Sequence, residues 1–217
     1  MAKKAQAFYE FLVPLIKGYS TENSVEVTSL GVQVHGGMGF IEETGAAQYY
    51  RDSRILPIYE GTTAIQANDL VGRKTARDGG AVAKAVASQI ADLEAQLAAR
   101  SSAACKTYAA QLKAGREAFL EVVDFVLANV KSNPNAVFAG SVPYLMLAAN
   151  LVCGWQMGRA LIVAEDKLAA GEDADFMAAK IATVRFYGDH ILPRVASQRL
   201  SILTGGESVT AMALDAF

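Results

Sequence analysis

Apolar residues recur through most of this chain at the spacing of one helix face, and nowhere at the two-residue alternation of a half-buried strand. Val82, Val86, Ile90, Leu93 and Leu97 step by four and three, a stripe that an amphipathic helix turns toward a core. Leu112, Phe119, Val122, Val126 and Val130 mark a second helix, ended by the Asn133-Pro134-Asn135 turn. Ala136 to Leu168 is apolar on several sides and reads as the central helix, with Pro143 in its first turn or at a kink and Gly171 as its stop. Ile181, Val184, Gly188, Ile191 and Val195 line a fourth helix, capped by Asp173 or Asp175 and bent at Pro193. Four helices of this length make a bundle. Ser197 to Phe217 carries no clear pattern.

The first third has its own helices. Phe8, Phe11, Leu12 and Leu15 place one over Ala5 to Lys17, with Pro14 late in it and Gly18 as its stop. A second starts near Thr21 or Asn23 and runs to His35. Val25, Ser29 and Val32 share one of its faces and Val27, Leu30 and Val34 another, which predicts a helix held between neighbours. Gly36-Gly37 ends it. Thr44 is placed to cap a short helix from Gly45 to Arg54, and a further helix runs from Thr62 to Lys74 with Ile65, Leu70 and Val71 inward. Arg77-Asp78-Gly79-Gly80 then breaks the pattern. The expected fold class is all-α in two helical-bundle units, residues 1–78 and 79–217.

Composition narrows the function. A formal net charge of -2 over 217 residues gives no reason to propose nucleic acid. Cys105 and Cys153 lie far apart with only His35 and His190 for company, so no metal site and no disulfide framework is expected. Val142 to Val163 is the most membrane-like segment, but Asn150, Gln156 and Arg159 inside it favour a buried helix over a membrane span. A cytoplasmic location is the expectation.

One block remains, Gln33 to Gln66, which reads QVHGGMGFIEETGAAQYYRDSRILPIYEGTTAIQ. Taken singly, its motifs are ordinary: Gly36-Gly37 is a helix stop, and Glu60-Gly61-Thr62-Thr63 is a loop feeding a helix. In this order, QVHGGMGF followed by RDSRILPIYEGT resembles the C-terminal helical domain of acyl-CoA dehydrogenases, flavoproteins that oxidise acyl-CoA thioesters to 2-enoyl-CoA. The resemblance implies that Glu60 is the catalytic base, with Tyr59 and Gly61 beside it against the substrate. It implies that Gln33, Gly36 and Gly37 meet the FAD of an adjacent subunit. The turn of Thr62, Thr63 and Ala64 would also meet FAD, with Ala64 offering only backbone where relatives often carry a polar side chain. Arg51 and Asp52 would position the loop that carries Glu60.

A carboxylate serves as such a base when a dry setting brings its pKa near working pH, and Ile55, Leu56, Ile58 and Tyr59 are the expected walls. Residues 79–217 resemble the additional helical bundle of a long branch of the same family, whose members act on varied acyl-CoA esters, methylthio-substituted ones included. The family core also has an N-terminal helical domain and a middle β-domain, and no strand-rich stretch here matches the latter. The resemblance therefore implies the C-terminal part of a longer homo-oligomeric enzyme, inactive alone and served by an electron-accepting flavoprotein. The alternative is a non-enzymatic helical interaction or oligomerisation module.

Overall fold

The computed structural model describes residues 2–216, and no strand occurs among them. Met1 and Phe217, the outer limits of the two expected units, lie outside that range. The first third holds α1 (Ala2–His35), α2 (Gly37–Phe40), a 3-10 turn at Glu42–Thr44, α3 (Ala46–Ser53) and α4 (Thr63–Asp69), which continues as a π-helical stretch over Leu70–Ala76. The rest holds α5 (Ala81–Ala98), α6 (Ala103–Asn129), α7 (Pro134–Ala139), α8 (Ser141–Ala169), α9 (Ala174–Phe186), a π turn at Tyr187–Ile191, α10 (Arg194–Thr204), α11 (Gly206–Val209) and a 3-10 turn at Leu214–Ala216.

The apolar stripes form the bundle they announce. Val86, Ile90, Leu93 and Leu97 on α5 and Leu112, Phe119, Val122 and Val126 on α6 are buried. α5 packs on α6, α6 and α9 pack on α8, and α10 lies against both α6 and α8. α8 is the hub: Leu145, Leu147, Leu151 and Leu161 are fully buried, each worth about 1.5–3 kcal/mol relative to exposure. By length and composition α8 is apolar enough to cross a membrane, with mean hydropathy 1.3 over its best window, but half of that window is buried inside the protein. Arg116 grips Glu94 with two hydrogen bonds of 2.8 and 3.0 Å and so ties α6 to α5. Both thiols are free; burial first, then the Glu165 carboxylate, pushes the Cys105 thiol up to about 11.

Several boundaries differ from expectation, each for a packing reason. The central helix is broken at Gly140, where Ile202 of α10 lies 3.1 Å from the place a Cβ would take. The piece before the break starts at Pro134, capped by Asn133, whose Oδ1 accepts from the Ala136 N–H at 3.3 Å. Asp173 sits at the cap of α9 at φ 46° but makes no side-chain cap bond. Residues 197–204, expected to lack a pattern, complete α10, which buries Ile202.

The largest correction is in α1. Gly18 does not stop the helix, and one helix of 34 residues runs through both Pro14 and Gly18. A Cβ at Gly18 would lie 2.8 Å from Leu145 Cδ1, so this glycine marks the place where α1 and α8 approach closely. Next to it the Tyr19 hydroxyl donates to Asn150 Oδ1 at 2.8 Å, and Asn150 donates in turn to Gln198. Pro14 is buried at the same joint, where packing offsets the hydrogen bond it cannot make. Phe11, Leu15, Leu70 and Val71 share one apolar cluster with the bundle, and Thr75 and Tyr144 hydroxyls meet at 2.9 Å inside it. The Arg77–Gly80 turn crosses this joint with Gly79 and Gly80 at φ 67° and 76°. Asp78 closes it by accepting from the Gly80 and Val82 N–H groups.

Beyond Glu26, which Arg194 of α10 pairs at 3.2 Å, α1 leaves the bundle and carries α2 and α3. It is not held between neighbours as its two apolar faces predict: Val27, Leu30 and Val34 are exposed, Val34 by 86%. Thr44 does not cap α3; its hydroxyl donates back to the Met38 carbonyl at 2.6 Å, and Gly45 at φ 76° takes the cap position. Leu70 and Val71 point inward as expected, whereas Ile65 is 58% exposed, because α4 turns its Ala67 face to α1 and α8 instead.

Candidate active site

Between α3 and α4 the chain winds through consecutive turns that end on Glu60. The Ile58 and Tyr59 N–H groups both donate to the Ile55 carbonyl, and the Thr63 N–H donates to Pro57 at 3.1 Å, closing the loop. Glu60 stands at φ 48° and Gly61 at φ 90°. Glycine takes such a φ freely, but for glutamate the left-handed region costs about 1–2 kcal/mol. Strain of this kind persists only where the surroundings enforce it, and it gathers at functional sites. Gly61 has a second constraint, since a Cβ there would lie 2.4 Å from Gln66 Nε2. Thr62 caps α4: its Oγ1 accepts from the Ile65 N–H at 3.3 Å.

α1 enforces this shape from below. Lys17 Nζ donates to the Leu56 carbonyl at 2.5 Å and to the Tyr59 carbonyl at 3.2 Å, and it lies 5.5 Å from the Tyr59 ring centroid. Thr63 Oγ1 donates to Glu22 Oε1 at 2.5 Å. Sequence reasoning places neither Lys17 nor Glu22 at the site. The expected Arg51–Asp52 support is not what holds the loop: Arg51 makes a two-pronged bond to Glu42, at 2.9 and 2.7 Å, on the solvent side. An exposed pair like this contributes little. α3 is anchored instead by Ser53, whose hydroxyl meets that of Thr28 at 2.9 Å.

The dry wall expected around Glu60 is not supplied by the loop itself. Glu60 is exposed, Ile55, Ile58 and Tyr59 are exposed, and Leu56 is half-buried. The Glu60 carboxylate has no hydrogen-bond or ion-pair partner among the described residues. It is an unengaged acceptor on a loop whose apolar side chains Ile55, Ile58 and Tyr59 are themselves open to solvent.

The other candidate residues fall into two places. Thr62, Thr63 and Ala64 flank Glu60, but the Thr63 hydroxyl and N–H are both committed internally, which leaves Thr62 and the exposed Ala64 backbone for a ligand. Gln33, Gly36 and Gly37 lie at the far end of α1, with both glycines exposed. From Lys17 to Gly36 is about 28 Å along the helix, at about 1.5 Å per residue, so the structure does not bring this group to Glu60. Gly36 adopts φ 60°, and a Cβ at Gly36 or Gly37 would meet nothing within 4 Å, so no side chain covers this end, while the Gly36 N–H and carbonyl are engaged by Gln33 and Gly39. His35 bonds its Nδ1 to the Gly31 carbonyl at 2.8 Å, a helix-end role. Beside it a shallow groove of ≈ 280 Å³ runs between α1 and α3, lined by Val27, Thr28, Gly31 and Tyr49. For a flavin dinucleotide the residues fit as two open backbone edges, each needing a facing wall to enclose a ligand.

Comparison with known proteins matches both parts of the chain. Residues 1–75 match the family model described as "Acyl-CoA dehydrogenase, C-terminal domain", and residues 81–213 match "Acetyl-CoA dehydrogenase C-terminal like". The chain is 52% identical over 211 residues to the 3-methylmercaptopropionyl-CoA dehydrogenase of Ruegeria pomeroyi, covering 97% of this chain and 36% of that protein. It is 33% identical to a broad-specificity linear acyl-CoA dehydrogenase of Mycobacterium tuberculosis, covering 94% of this chain and 34% of the relative. A butyryl-CoA dehydrogenase of Syntrophomonas wolfei is 34% identical, with the same 94% and 34% coverage. The chain thus spans about a third of the length of these curated relatives.

Proposed function

The chain belongs to the acyl-CoA dehydrogenase family, as its C-terminal portion, and from that premise we propose that it carries the base of an enzyme that oxidises acyl-CoA to 2-enoyl-CoA. The observation that supports this most is Glu60 itself, an unengaged carboxylate held at φ 48° on a turn gripped from both sides by α1. Glu60 takes the proton from the carbon next to the thioester carbonyl. Tyr59 and the side-chain-free Gly61 let the thioester come close on either side of it. FAD, when bound, supplies the acceptor for the hydride that leaves the neighbouring carbon. Thr62 and Ala64 would hold it through the turn's backbone, with Thr63 fixing that turn through its bonds to Pro57 and Glu22, and Gln33, Gly36 and Gly37 would hold the FAD of a second subunit. Ile55, Ile58 and Tyr59 become the apolar wall that excludes water once an acyl chain covers them.

The two units meet at residues 78–79. The enzyme is a homo-oligomer in which the bare distal half of α1 is covered, and its electrons pass to an electron-accepting flavoprotein. Two free thiols suit a reducing, cytoplasmic setting.

Because well-formed ligand sites bury most of their ligand and both edges here are open, the 217-residue chain by itself is expected not to retain FAD. Incubated with FAD and passed through gel filtration, it should emerge colourless. A yellow complex bleached by an acyl-CoA would show that the pocket is closed within this chain, and the division of the site proposed here would fall.

A further inference from the structure

We propose that Lys17 is a positioning residue for Glu60: its ammonium fixes the Tyr59–Glu60 peptide plane, and through it the direction in which the carboxylate leaves the turn. This rests on the reading of Glu60 as the base. Lys17 reaches two carbonyls 2.5 and 3.2 Å away, those of Leu56 and Tyr59. The second carbonyl belongs to the peptide whose nitrogen is that of Glu60. A peptide is a rigid plane, so holding its oxygen sets the φ axis of Glu60. An ammonium offers three donors and a full charge, and such charge-assisted bonds are roughly twice as strong as neutral ones.

The support is continuous down to the bundle. Lys17 precedes Gly18, which seats α1 on Leu145, and Tyr19, whose hydroxyl binds Asn150. Further along the same helix Glu22 holds Thr63, on the other side of Glu60. The turn is clamped at both flanks by one helix, and that helix is located by α8. This gives the C-terminal bundle a part in the chemistry although, among the described residues, none of its side chains bonds Glu60.

In the complete enzyme, Lys17→Met keeps the length of the side chain and removes its donors. A small misplacement of a reacting group costs up to about 10²-fold in rate, so flavin reduction at saturating acyl-CoA should fall about 10- to 100-fold. FAD content and half-saturating acyl-CoA should stay near parent, a split that loss of fold would not produce. Lys17→Arg retains donors and charge and should restore part of the rate. In the 217-residue chain, the ¹³Cα and ¹³Cβ shifts of Glu60 report its left-handed backbone and should lose that signature in Lys17→Met. A Lys17→Met enzyme with the parent rate overturns the proposal, as do unchanged Glu60 shifts or a variant chain that unfolds altogether. If the variant enzyme loses FAD, the shifts decide. Glu60→Gln is measured beside it: a parent rate there removes the base assignment, while the shifts still report whether Lys17 holds the turn.

Discussion

Glu60→Gln in the complete enzyme is expected to leave FAD bound and to slow its reduction by acyl-CoA about 10²–10⁴-fold, the usual worth of a general base. That range corresponds to about 3–5 kcal/mol of barrier. The amide keeps the size of the side chain and cannot accept the proton. The turn should survive the change, because its shape is enforced by Lys17, by Glu22 through Thr63, and by the Thr63 N–H on Pro57, and none of these touches the Glu60 carboxylate. Glu22, the carboxylate held against the same turn, is already engaged by Thr63 and makes a poor substitute. A Glu60→Gln enzyme reduced at the parent rate would send the search to another carboxylate. Rapid mixing under anaerobic conditions, following flavin absorbance, makes the measurement.

Leu145→Ala is expected to destabilise the chain by about 2–5 kcal/mol, the range for emptying a well-packed leucine site. For a chain of this size that is a drop in Tm of about 4–20 °C. Leu145 is fully buried and is the side chain against which Gly18 seats α1. Its loss opens the joint between the first third and the bundle as well as the bundle core. Thermal unfolding followed by circular dichroism at constant pH checks it. A shift no larger than that of an exposed leucine such as Leu200 would mean that α1 is not seated through this contact.

What the sequence makes legible is what local periodicity encodes. The stripe from Val86 to Leu97 repeats at helix spacing and is buried at those positions, because a face that must avoid water needs no knowledge of what covers it. Gly18 misleads for the opposite reason. Locally a glycine after Lys17 is a stop, and only Leu145, far along the chain, makes it a contact. Ile65 and Thr44 mislead likewise, one because α4 turns another face inward, the other because Gly45 already supplies the left-handed cap. At the site, resemblance names Glu60 but carries no geometry. Lys17 and Glu22 are invisible in the sequence because their partners lie 39 to 42 positions away, and nothing in a lysine on a helix says that it will hold two carbonyls. Arg51 beside Asp52 looks like a pair in the sequence, yet neighbours on a helix do not face each other, and the Arg51 guanidinium goes to Glu42.

The most direct measurement is the anaerobic titration of the complete, FAD-bound enzyme with acyl-CoA esters, chosen from the classes in the relatives' names: butyryl, linear acyl and 3-methylmercaptopropionyl. The expected result is loss of the visible flavin band with at least one of them, with one 2-enoyl-CoA formed per flavin reduced. A bound flavin that keeps its band against all three classes, while an added chemical reductant bleaches it, would contradict the assignment of this chain to acyl-CoA oxidation.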